Sequence, residues 1–338
     1  MGAYNQLIPV FVLTGFLGSG KTTLLNRMLR HPALKDAAVL INEFGEVGLD
    51  HLLVERIDDN TVLLEGGCLC CTIRDDLKET ILSLDDRRSR GEILLYERMV
   101  IETTGLADPS PILFTLMADQ TLRHHYRLAT VITTVDAVNG WGHLDRQEEA
   151  VKQAAVADRI VLTKTDIAAP EQVTRLRQRL DQLNPSAEFL TADHGEIDIG
   201  HLLQADLYDP TTKGEEVLRW VEAEAANEAA GNGHEHGHDP NRHDAHIHSF
   251  CLTYDEPIDW TAFGIWLTML LHTHGENVLR VKGMLNVKGV ETPVVINGVQ
   301  HVVHPPMHLN AWPDADRRSR IVFIVRDIEK WRIEESLE

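Results

Sequence analysis

Cysteine is scarce. The 338 residues hold four, and three of them crowd into Cys68-Leu69-Cys70-Cys71. That count and placement exclude a disulfide framework and suit reduced thiols. Positive charge is short as well: Lys plus Arg number 32 against 52 Asp plus Glu, a formal net charge of −20. The deficit argues against nucleic acid, whose phosphate backbone needs a basic surface, and against an anionic membrane surface. No apolar run approaches the length of a bilayer span. The opening residues Met1 to Gln6 lack a charged region followed by an apolar one. No export signal is visible there, and a cytoplasmic chain is expected. Length is not lacking, since 338 residues accommodate two domains with separate cores.

What is present begins with a short apolar run, Ile8 to Leu13, which enters Gly15-Phe16-Leu17-Gly18-Ser19-Gly20-Lys21-Thr22-Thr23. Lys21 to Arg30 then has helical character. A strand, the pattern G-x-x-x-x-G-K-[ST] and a helix make a complete phosphate loop in its required setting. Glycines let backbone N–H groups approach polyphosphate oxygens without a Cβ between them, and the helix N-terminus adds partial positive charge. Gly15, Gly18, Ser19, Gly20 and Thr23 are expected around the nucleotide. Lys21 is expected on the β- and γ-phosphates and the Thr22 hydroxyl on Mg²⁺.

Ala37 to Ile41 reads as a buried strand that delivers a polar loop, Asn42 to Asp50. Asp50 is either an outer ligand of Mg²⁺ or a solvated loop acid. Thr61 to Leu64 is a further short strand, followed directly by Glu65-Gly66-Gly67-Cys68-Leu69-Cys70-Cys71. Disulfides between such close neighbours need strained rings, whereas clustered thiolates select Zn²⁺, Cu(I) or related soft ions. In an extended segment Cys68 and Cys70 share a face, and Cys71 joins only if the chain turns. A tetrahedral ion would take a further ligand from elsewhere, with Glu43 the candidate.

Arg74 to Leu84 has helical apolar spacing and is expected to end in an exposed basic turn, Arg87-Arg88-Ser89-Arg90. Met99-Val100-Ile101-Glu102 resembles a Walker B strand, and Thr103-Thr104-Gly105 a switch after it. Glu102 would organise Mg²⁺, its longer reach favouring contact through water, and the Gly105 N–H would sense the γ-phosphate. Leu128 to Val135 is a strand ending at Asp136. Arg159 to Leu162 is another, ending in Thr163-Lys164-Thr165-Asp166. This is similar to the guanine-reading Asn-Lys-x-Asp pattern: Asp166 can accept two hydrogen bonds from a guanine edge, and the Lys164 stem would lie over the base. Thr163 in place of Asn removes one brace from that pocket. Pro170 to Leu183 reads as a helix opened by its proline.

The texture changes near Asp209. An acidic, alanine-rich stretch leads into a tract holding His234, His236, His238, His243, His246 and His248, expected to gather borderline metal ions weakly. Beyond it, Phe250 to Tyr254, Val278 to Val287, Pro293 to Val299 and Arg320 to Val325 read as strands and Ile258 to Leu271 as an amphipathic helix. The organisation expected is a phosphate-loop domain over 1–208, an acidic and His-rich linker over 209–245 and a smaller domain over 246–338. The fold class is α/β, a P-loop NTPase with a mostly parallel, doubly wound sheet, plus a smaller C-terminal α+β domain.

In this order, the phosphate loop, Asn42-Glu43-Phe44-Gly45, the C-x-C-C segment, Glu102 to Pro109, Thr163 to Asp166, the His-rich linker and Arg280-Val281-Lys282-Gly283 resemble the CobW-type GTPase family of metallochaperones. That family is a branch of the SIMIBI phosphate-loop NTPases. The resemblance implies that Cys68, Cys70 and Cys71 form the metal motif with Glu43 near it, and that Asn42 to Asp50 is a nucleotide-sensitive switch. GTP, Mg²⁺ and Zn²⁺ are the implied ligands, with Co²⁺ an alternative cargo for cobalamin synthesis or nitrile hydratase maturation.

The function expected is a GTP-dependent metallochaperone that transfers its ion to a metal-requiring client, with a homodimer as a further option. No arginine finger or water-positioning glutamine stands in a familiar place, so slow intrinsic turnover is expected. A P-loop ATPase or kinase, or a passive His-rich metal store, are the readings of other classes.

Overall fold

The computed structural model describes residues 7–41, 73–93, 95–192, 196–204, 246–313 and 315–337. The chain separates into two compact units. One comprises Met1–His143, Ala157–Leu176 and Glu188–Leu207; the other comprises Leu144–Val156, Arg177–Ala187 and Tyr208–Glu338.

The first unit is built on β1 (Ile8–Gly15), β2 (Ala37–Ile41), β3 (Arg98–Glu102), β4 (Tyr126–Asp136), β5 (Arg159–Thr163) and β6 (Glu188–Thr191). These form a six-stranded sheet in the order β2-β3-β1-β4-β5-β6. Each neighbouring pair runs parallel. Nearly continuous apolar strands such as Val10-Phe11-Val12-Leu13 suit a sheet covered on both faces, and these four residues are buried. One core gathers Phe11, Leu13, Val39, Ala129 and Val161 from the sheet with Leu24, Leu25 and Met28 from α1 (Lys21–Leu29). The strand order reverses direction about β1, and in such sheets the crevice beyond the carboxyl ends at that point takes ligands.

One helix on this sheet differs from expectation. α2 (Ile73–Ser89) runs through the stretch expected to turn. Its last turn carries Arg87 and Arg88, where cations complement the helix dipole, and Arg90 beyond it pairs with Asp86 at 2.6 Å. α3 (Ser110–Ala118) follows the switch, and its Ser110 N–H donates to Asp108 Oδ1 at 2.9 Å. α4 (Gly140–Arg146), α5 (Glu148–Ala155), α6 (Pro170–Leu183) and α7 (Ile199–Gln204) are the remaining α-helices among the described residues before 205.

In the second unit, β7 (Ile247–Tyr254), β8 (Val278–Leu285), β9 (Val294–Val299), β10 (Val302–Val303), β11 (Met307–His308) and β12 (Ser319–Arg326) pair antiparallel. Their order is β10-β9-β8-β12-β7, with β11 on β9. α8 (Trp260–His274) packs Phe263, Leu267 and Leu271 against Leu252, Val281 and Phe323, and α9 (Lys330–Leu337) adds Ile333 to that core. α8 starts two residues later than its apolar spacing predicts. Asp259 Oδ1 accepts the N–H groups of Thr261 and Ala262 at 3.0 and 2.9 Å and so fixes the helix start. Ile258 instead bridges to Val287. Cys251 is buried among Met284, Val295 and Val322, a packing role. Among the described residues, no helix is long and apolar enough to cross a membrane.

Candidate functional site

The strand registers set Glu102 beside Leu13, Thr134 beside Gly15 and Thr163 beside Asp136. The carboxyl ends of β3, β1, β4 and β5 therefore present these residues together. Gly15, with φ of 141°, is the point where β1 breaks into the loop. A Cβ there would stand 2.3 Å from Thr134 Oγ1 and 2.5 Å from Thr134 O, a space only glycine fits. Gly18 and Gly20 also have positive φ, and Gly20 caps α1 in the left-handed region.

Lys21, nearly buried, donates from Nζ to Gly15 O at 2.9 Å and to Phe16 O at 3.3 Å. The ammonium is thus folded back over its own loop. The Thr22 hydroxyl donates to Glu102 Oε1 at 3.2 Å, joining α1 to the end of β3. A hydroxyl and a carboxylate converging at a phosphate loop are hard oxygen donors of the kind Mg²⁺ and its water accept. These residues fit that ion. Thr23 is exposed in the first turn of α1.

Hydroxyls hold the loop from behind. Ser19 Oγ lies 2.6 Å from Thr134 Oγ1, and Thr103 Oγ1 donates to Thr14 Oγ1 at 2.8 Å. Thr163 Oγ1 donates to Ser19 O at 2.7 Å. The brace expected to be lost with the missing Asn is therefore present, supplied by a threonine hydroxyl across 144 residues of sequence. Gly105 abuts the same loop, since a Cβ built on it would lie 2.8 Å from both N and Cα of Leu17.

At the other end, Lys164 has φ of 58°, and its Nζ donates to Asp136 Oδ2 at 2.7 Å. Asp136 also accepts from Asn139 Nδ2 at 2.9 Å and from the N–H groups of Val138 and Asn139 at 2.8 and 3.2 Å. Its side chain is 2% exposed. Burial pushes the Asp136 carboxyl up, but hydrogen bonds from Lys164, Asn139 and the two backbone groups outweigh it and hold the group below the ordinary carboxylate range. A depressed folded value contributes stability that is complete above the unfolded value of about 3.9 and is lost as pH falls through the folded one. Below about pH 4 the thermal midpoint of the wild type should therefore fall more steeply than that of Asp136→Asn. Parallel slopes in a pH series of melting curves would refute this. Asp166 is exposed beside the pair.

Sequence reasoning missed Thr134 and Asn139, and took Asp136 only as the end of a strand. Its position at a parallel strand terminus was the available signal. Glu43, Asp50, Cys68, Cys70, Cys71, His234, His236, His238 and His243 lie outside the described residues. His246 Nδ1 is 2.6 Å from Asp327 Oδ1, and the His248 ring lies 5.8 Å from that of Phe250. Among the described residues, no group of three or more His, Cys, Asp or Glu is arranged to hold a metal ion.

Zinc chaperone YjiA of Escherichia coli (strain K12) is 34% identical over 320 residues, covering 94% of this chain and 93% of that protein. Zinc-regulated GTPase metalloprotein activator 1 of Schizosaccharomyces pombe is 28% identical over 355 residues, 96% of this chain and 83% of its own length. The crystal structure of Zn(II)-bound YjiA GTPase from E. coli superimposes with a TM-score of 0.71 at 29% identity, covering 98% of each chain. Residues 247–338 match the cobalamin synthesis protein CobW C-terminal domain. Residues 9–191 match the CobW/HypB/UreG nucleotide-binding domain, and the chain belongs to that family.

Proposed function

We propose that this chain is a Mg²⁺-dependent GTPase metallochaperone with Zn²⁺ as its cargo, taken at Cys68, Cys70 and Cys71 with Glu43 and passed to a client protein. The observation that supports the nucleotide half most directly is the convergence of Lys21, Thr22 and Glu102 at the end of β1 and β3. The relatives' printed names, a zinc chaperone and a zinc-regulated GTPase, support the cargo and the nucleotide.

In this reading the polyphosphate takes the place of the Gly15 and Phe16 carbonyls as the partner of the Lys21 ammonium. Thr22 would hold Mg²⁺, and Glu102 would act on it through water. That ion would neutralise charge developing between the β- and γ-phosphates. Asp166 accepts from guanine N1 and N2, which adenine cannot match. Gly105 packs on Leu17, so a γ-phosphate drawing on the Gly105 N–H moves the segment after β3 together with the loop. The switch segment 42–50 and the thiols would follow the nucleotide state, tightening the ion site with GTP and loosening it on hydrolysis.

The test is Zn²⁺ affinity with and without a non-hydrolysable GTP analogue. The analogue should tighten binding about tenfold, within the usual span of coupling energies. Changing Cys68, Cys70 and Cys71 to Ser should remove the effect. Equal affinity in all four measurements would sink the coupling.

A further inference from the structure

Asp136 belongs to neither the phosphate loop nor the Thr163-Lys164-Thr165-Asp166 pattern, yet it is the buried acid that the latter's lysine grips. Thr134 and Asp136 are two residues apart on β4 and so project from one face of the strand. Thr134 meets Ser19 of the phosphate loop, and Asp136 meets Lys164 of the base-reading loop. Thr163 Oγ1 closes the circuit onto Ser19 O. The two halves of a nucleotide pocket are thereby fixed to a single strand end.

Lys164 itself sits in the left-handed region, which side-chain-bearing residues adopt at a cost and which the surroundings must hold in place. The N–H groups of Ile167 and Ala168 donate to its carbonyl at 3.3 and 3.2 Å, and Asp136 holds its side chain. Its own position is locked by the Asn139 amide and by two backbone N–H groups at the start of the segment leading to α4. One carboxylate oxygen caps that segment while the other takes the ammonium and the Asn139 amide. The ammonium end of Lys164 is fixed, so its methylene stem is presented in one direction.

We propose that Asp136 is a positioning residue for the base: by anchoring the Lys164 ammonium it sets the lysine stem as the surface on which the purine ring lies, while Asp166 reads the ring edge. This rests on the guanine-nucleotide reading above and assigns the division of labour within that site. A stem contact is indifferent to the 2-amino group that distinguishes guanine from hypoxanthine. An edge contact from Asp166 depends on it. Asp136 and Asp166 therefore differ in which nucleotides they affect.

Binding of GDP and of IDP, which lacks the 2-amino group, is measured by calorimetry on the full chain. Asp136→Asn keeps an oxygen to cap Val138 and Asn139 but loses the charge that holds Lys164. It should weaken both nucleotides by about tenfold and to the same extent, the usual scale for a charge-assisted hydrogen bond. Asp166→Asn should weaken GDP far more than IDP. Lys164→Met, which leaves the Asp136 caps intact, should reproduce the Asp136→Asn loss, and the double variant should add little to either single one. Affinity within twofold of wild type in Asp136→Asn and in Lys164→Met would overturn the inference. So would unequal losses for GDP and IDP in Asp136→Asn, which would make Asp136 an edge reader. If the wild type binds neither nucleotide, the guanine reading itself falls. If it binds both and only the variants behave otherwise, the positioning role alone falls.

Discussion

Lys21→Met lowers kcat for GTP hydrolysis by about 10²–10³-fold, the scale for removing one preorganised charge or donor from a reacting group. Methionine keeps the apolar length of the lysine stem, which is nearly buried at the start of α1, and removes only the ammonium. In the site proposed above, that ammonium would be the formal positive charge that the loop itself brings to the β- and γ-phosphates. The backbone N–H groups of Gly18 to Thr22 and the helix dipole remain, so nucleotide affinity should fall less than turnover. Phosphate release under saturating GTP measures the first quantity and calorimetric titration the second. A variant that hydrolyses GTP at half the wild-type rate would remove Lys21 from the chemistry. The Lys21 bonds to the Gly15 and Phe16 carbonyls lie within its own loop, so the melting temperature should change less than turnover.

Gly105→Ala is the second large effect, and its cause is space rather than backbone conformation. The added methyl would stand 2.7 Å from Leu17 Cδ2 and 2.8 Å from Leu17 Cα and N. The Cδ2 atom can swing away, since Leu17 is 52% exposed. The backbone atoms cannot move alone. They belong to a loop fixed by the Lys21 bonds to Gly15 and Phe16, by the Ser19–Thr134 pair and by Thr163. Either that loop shifts or the segment after Glu102 retreats, and on the proposed role of Gly105 both would separate its N–H from a γ-phosphate. GTP affinity should drop by at least about tenfold, with about 1–3 kcal/mol lost from stability, as for other overpacked sites. GDP, which has no γ-phosphate to sense, should be weakened less. Wild-type GTP binding and melting behaviour in Gly105→Ala would show that this contact yields freely.

These effects trace to residues of unequal legibility. The phosphate loop could be read outright because glycine, lysine and threonine at fixed spacing have few other uses, and β1, β2 and α6 follow directly from their apolar and proline signals. The end of α2 differs from expectation because four consecutive polar residues look like an exposed turn, while in the structure Arg87 and Arg88 are half-buried in the last turn of the helix. Ile258 looked like part of α8 by its spacing, but the Asp259 side chain decides where that helix starts. Thr163 and Asp136 show the larger difficulty. A pattern registers which residue is missing from a motif, and it says nothing of what the replacement touches. The partners of these two residues lie 144 and 28 positions away in the chain, and only the parallel pairing of β1, β4 and β5 brings them together.

The phosphate loop springs from β1, which is hydrogen-bonded to β3 along one edge and to β4 along the other. A strand paired on both sides opens only when the sheet does, so the anchor of the loop is held as firmly as the sheet itself. Nucleotide exchange that leaves this floor still would proceed by yielding of the loop segments beyond the ends of β3 and β5. A partner that hastens exchange would gain nothing by pulling on Gly15 to Gly20. It would work by prising Gly105 off Leu17 or Lys164 off Asp136.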